Sequence, residues 1–146
     1  LIHCPTSNSF IGSGLFDMAG LTASHQRIGL ATDTGGGSSF SMLRTMGAAY
    51  EIGQLNAGPL HPAELLWLAT MGSAKALHLS DEIGSLEGGK YADITVLDLF
   101  STPAIAQRTV RAEDIWGALF PTIMMGDDRA VHAVWVAGHC LKEAQD

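Results

Sequence analysis

The sequence predicts a mixed α/β fold, and three observations carry that prediction. An apolar run at 28–31 ends in Thr32-Asp33, passes through Gly35, Gly36 and Gly37, and enters a segment of helical apolar spacing. The stretch "HPAELLWLATMGSAKAL" opens a second helix with Pro62 in its first turn, where a missing N–H costs nothing. Beyond Leu79 the apolar period shortens to two, as in "ADITVLDL" and "AVHAVWV".

In chain order, residues 1–4 read as a short buried strand stopped by Pro5, with "PTSNS" supplying turn chemistry. "GSG" at 12–14 then leads to a short helix around 15–21. The strand at 28–32 follows. Ser38 or Ser39 caps a helix running to about Leu55, with Phe40, Leu43, Met46, Tyr50 and Leu55 near helical spacing. The helix from Pro62 is expected to break at Gly72 before a final turn through Leu77.

The second half opens with a Gly-Gly turn ahead of a strand at 92–99, whose Ile94, Val96 and Leu99 are expected to point inward. Ala137-Gly138 joins two further strands, 131–136 and 139–141, as a hairpin. Between these β elements, "RAEDIWGALFPTIMMG" predicts a helix interrupted near Pro121 and ended at Gly126.

Composition narrows the function. With 146 residues and 47% hydrophobic content, the chain has enough apolar material for one domain with a core. Eight basic against fifteen acidic residues give a net charge of −7, which repels nucleic acid and anionic lipid. Cys4 and Cys140 stand alone near opposite ends, so neither a disulfide framework nor a cysteine zinc site is indicated, and a cytoplasmic setting is expected. No apolar run reaches the 18–20 residues of a membrane helix, roughly, and no signal-peptide pattern is present. The chain opens inside an apolar strand without a methionine, so a fragment of a longer protein is expected.

The chemistry concentrates at Asp33. An aspartate at the carboxyl end of a parallel strand is placed as reacting groups are in α/β barrels. Glycines beside it let a ligand approach the backbone. The competing reading makes Asp33 a turn residue and the glycines a simple chain reversal. A phosphate cradle fails on detail: no Lys-Ser/Thr follows the last glycine, and no Gly-x-Gly-x-x-Gly is present. His3, His25, His61, His78, His132 and His139 include no pair at i, i+2 or i, i+4, so no metal set is complete within the chain.

Four segments, "HCPTSN" at 3–8, "GLATDTGGGSSFSMLR" at 29–44, "LATMGSAKALHL" at 68–79 and "GSLEGGKYADITVLDL" at 84–99, resemble the metal-dependent amidohydrolases in content and order. The Gly-Lys-x-Ala-Asp element is shared across that superfamily. The glycine loop running into Phe-Ser-Met-Leu is narrower and is similar to the guanine deaminases within it. "MGDDRAVHAVWVAGH" agrees.

The resemblance implies that residues 1–79 are the last βα units of a TIM-like (β/α)8 barrel. Residues 80–146 would then be part of a small flanking β-sandwich with a helical excursion at about 101–129. It implies that Asp33 ends the eighth strand, binds one Zn2+ and takes a proton from the water on it, with Gly35, Gly36 and Gly37 leaving room for a flat purine. His3 is expected beside the pocket as a supporting residue rather than a zinc ligand. The remaining ligands, including a His-x-His pair, and the glutamate that protonates the ring are expected upstream of Leu1. The implied reaction is hydrolysis of guanine to xanthine and ammonia. The alternatives are an amidohydrolase acting on another purine, pyrimidine or triazine-like ring, and a non-catalytic α/β binding module. Guanine as the small-molecule partner, no nucleic acid or membrane, and assembly with further copies complete the expectation.

Overall fold

The computed structural model describes residues 1–56 and 58–143. Two strands, β1 (Ile2–His3) and β2 (Gly29–Leu30), pair in parallel, with Ile2 opposite Gly29 and His3 opposite Leu30. Both are shorter than the runs that predict them.

The segment expected to turn after Pro5 is instead a helix, α1 (Pro5–Ile11). Proline at the first helical position is pre-set for this geometry, and Gly12 closes the helix with a left-handed φ of 70°. The next helix, α2 (Met18–Ala23), begins later than expected because Asp17 accepts the Gly20 N–H at 3.0 Å and so becomes its cap.

Helix α3 (Met42–Leu55) is capped by Ser41, which accepts the Arg44 N–H, rather than by Ser38 or Ser39. Ser39 Oγ accepts the Ser41 N–H instead and so belongs to the loop. Phe40 accordingly falls outside the helix and is 83% exposed, whereas Leu43, Met46 and Ala49 form the buried face.

Pro62 opens α4 (Pro62–Trp67), with a reciprocal cap between His61 and Glu64. The expected break is a π-helical turn, Leu68–Gly72, which passes directly into α5 (Ser73–Ala76). Gly72 is required there by packing: a Cβ would lie 2.8 Å from the Trp67 ring.

The second sheet is antiparallel, in the order β3 (Ile94–Leu97), β4 (Val131–Val136), β5 (His139–Lys142). Ala137 and Gly138 both take positive φ, 48° and 80°, the geometry of a tight hairpin. Asp93 Oδ1 accepts the Ala137 N–H at 2.8 Å and Ala92 O accepts that of Gly138 at 3.1 Å, so the Ala-Asp of the widely shared motif clamps this turn. A register shift between Val96 and Leu97 overturns one expectation: Val96 is exposed, and Leu97 turns toward the core with Leu99.

Two helices fill the excursion, α6 (Pro103–Thr109) and α7 (Ile115–Met125). Pro121 does not interrupt α7; it is buried within a helix that runs through to Gly126. The core joins β2, α3, α4 and α7 through Leu30, Leu43, Met46, Leu65, Leu119 and Ile123. No helix of the described residues is long and apolar enough to cross a membrane.

Candidate active site

Beyond Leu30 the chain runs through Ala31 and Thr32 to Asp33, at the carboxyl end of the parallel pair. Asp33 has φ 50°, in the left-handed region that aspartate tolerates better than most residues. Such a backbone costs about 1–3 kcal/mol and persists only where its surroundings fix it.

Four hydrogen bonds do so. The Asp33 carbonyl accepts the N–H groups of Gly36 at 3.0 Å and Gly37 at 2.7 Å. Its carboxylate Oδ2 accepts a 2.6 Å hydrogen bond from Ser7 Oγ. Thr6 Oγ1, beside Ser7, donates to Thr32 O at 3.5 Å. Thus the first turn of α1, which continues β1, holds the loop that continues β2. Ser7 is 1% exposed, while Asp33 is exposed and Oδ1 takes no hydrogen bond among the described residues.

The three glycines divide the work. Gly35 has φ 108° and open space around it. At Gly36 an added Cβ would stand 3.0 Å from both Asp33 Oδ2 and Ser7 Oγ, and at Gly37 one would meet Thr32 O at 2.2 Å. Two of them therefore make room for the loop's own acid and backbone.

His3 packs toward α2 and α3. It is 2% exposed, stacks on Phe16 with ring centroids 4.4 Å apart, and lines a small cavity with α2, α3 and Leu60. Burial pushes its pKa down to about 4, and its Nδ1 has no partner among the described residues. No hydrogen bond joins His3 to Asp33; the side chain that reaches the acid is Ser7, which the sequence offered only as turn chemistry. Burial, and next the charge of Asp33, push the Cys4 thiol up from its ordinary value. An open cleft of about 670 Å³ lies between α1, the start of α3 and the end of α7, lined by residues that include Arg44, Glu51 and Asp127 but not Asp33 or Gly35.

No three His, Cys, Asp or Glu side chains among the described residues converge as a metal-binding group. Asp33 itself suits one ligand position: an exposed carboxylate with one oxygen pinned and the other free. A complete site would need donors beyond the described ones.

Residues 1–141 match the amidohydrolase family, and the chain belongs to it. It is 38% identical over 143 residues to the guanine deaminase of Escherichia coli, an overlap covering 98% of this chain and 33% of that protein. The solved Escherichia coli guanine deaminase superposes with a TM-score of 0.94 at 37% identity, over 99% of this chain and 34% of that one. Guanine deaminase from Bradyrhizobium japonicum gives 0.90 at 31% identity, over 99% and 37%. An adenosine deaminase from Xanthomonas campestris with bound zinc gives 0.80 at 28%, over 98% and 32%. The chain spans about a third of the length of the curated relatives it matches.

Proposed function

We propose that this chain carries the strand-end acid of a zinc-dependent guanine deaminase, which hydrolyses guanine to xanthine and ammonia. One observation carries the reading: Asp33, strained and pinned by Ser7, presents a free carboxylate oxygen at the carboxyl end of the parallel strands. A residue with only a turn to make has no need of a partner on a helix from another part of the chain. The similarity to two guanine deaminases supports the choice of substrate.

In this reading β1 with α1 and β2 with α3 are the last two βα units of a (β/α)8 barrel, and the sheet from residue 80 onward is part of a flanking β-sandwich. Asp33 would supply one oxygen to zinc, and the other ligands would have to come from beyond the described residues. Zinc, when bound, makes water acidic enough to attack at neutral pH. Asp33 accepts the proton that the attacking water loses and passes it to the amine that departs as ammonia. Gly35, at φ 108° and with nothing within 4 Å of its missing side chain, lets the loop turn beside the acid.

Ammonia release from guanine by the enzyme carrying this chain tests the proposal, with adenosine and an amino-triazine as competitors. Stoichiometric xanthine and ammonia are expected. Turnover of either competitor in preference to guanine would reassign the substrate.

A further inference from the structure

We propose that Ser7 is the positioning residue for Asp33: its hydroxyl fixes Oδ2 and so leaves Oδ1 as the oxygen that works. The inference rests on the role given to Asp33 above and names what aims it.

Ser7 is 1% exposed and its Oγ stands 2.6 Å from Asp33 Oδ2, the length of a charge-assisted hydrogen bond. A serine hydroxyl has one proton, and this one goes to the carboxylate. The partners are 26 residues apart in sequence and belong to different βα units. The contact therefore exists only when α1 and the glycine loop are both docked. Gly36 leaves room for the pair, since an added Cβ there would stand 3.0 Å from both oxygens. That bond opposes rotation of the carboxylate and leaves Oδ1 without a hydrogen bond among the described residues.

The test is a double-mutant cycle in the enzyme that carries this chain: Ser7→Ala, Asp33→Asn and the double variant. Steady-state kinetics on guanine, zinc retained against EDTA and thermal melting are read on each. Ser7→Ala is expected to lower kcat about 10- to 100-fold with KM within about twofold, and to weaken zinc retention about tenfold or more. In the Asp33→Asn background the same change should add nothing to either loss, because Ser7 acts only through the carboxylate. A purely structural tie predicts the opposite pattern, a lowered melting temperature that adds to that of Asp33→Asn while kcat and zinc retention hold; that result overturns the proposal. Should Ser7→Ala fail to fold, Gly36→Ala disturbs the same two oxygens and is expected to lower kcat and zinc retention likewise; unchanged values overturn it. If Asp33→Asn keeps both turnover and zinc, the role of Asp33 falls and Ser7 with it. If Asp33→Asn loses them but Ser7→Ala does not, the inference about Ser7 alone fails.

Discussion

Ser73 completes the outer edge of strand β2 at Leu30: its Oγ accepts the Leu30 N–H at 3.0 Å and lies 3.0 Å from Leu30 O. The opposite edge of β2 is taken by β1, through Gly29 N to Leu1 O and Ala31 N to His3 O. A side chain thus satisfies Leu30 on the edge that β1 does not take. The π-helical turn before Ser73 delivers it, and the same hydroxyl lies 2.8 Å from Leu68 O. Ser73→Ala would remove the partner that the described residues offer to the buried N–H and C=O of Leu30. A loss of about 1–3 kcal/mol is expected, read as a lower midpoint in chemical denaturation.

His3 makes stability depend on pH. Its folded pKa of about 4 lies below the ordinary value of 6.5, so between these values the unfolded chain binds a proton that the folded one refuses. Stability is full above pH 6.5, roughly, and falls as the pH drops toward 4, by up to about 3 kcal/mol. Denaturation midpoints measured across that window should decline for the wild type. His3→Phe, which keeps a ring against Phe16, should flatten this part of the profile.

Asp33→Asn preserves size but removes the charge that would hold zinc and the basicity that accepts a proton. Turnover of guanine should fall at least about a hundredfold while the melting temperature stays near that of the parent. Near-normal turnover with full zinc would return Asp33 to the role of a turn residue.

The glycine loop separates packing from flexibility. Gly37→Ala drives a methyl into the Thr32 carbonyl and should cost about 1–3 kcal/mol. Gly88→Ala has nothing within 4 Å and no positive φ, and should stay within about 0.5 kcal/mol of the parent. Equal effects would show that the loop relaxes freely around position 37.

What the sequence made legible was local. The order of strand, glycine loop and helix around Asp33, the start of α4 at Pro62 and the Ala137-Gly138 hairpin all follow from residues adjacent to one another. The differences arise where a distant partner decides. Pro5 suits a turn or a helix start, and the docking of Thr6 and Ser7 against the β2 loop selects the helix. The exposure of Val96 depends on a register shift against β4, and the passage of α7 through Pro121 occurs where that helix packs on α3. At the site, the place of Asp33 at a strand end was legible. Its left-handed backbone and its hydroxyl partner were not, since neither shows in residues 32–38 alone.

The left-handed conformation of Asp33 also governs how this position can vary. Glycine, asparagine and aspartate share tolerance of that backbone, whereas valine, isoleucine and threonine strain it. A saturation library at this codon, sorted once for folded yield and once for turnover, would therefore give two different rankings. Glycine and asparagine would survive the first sort and vanish from the second. The variants that fold most comfortably here would be inactive ones, so a drift away from catalysis at this codon would leave no mark on the abundance of the protein.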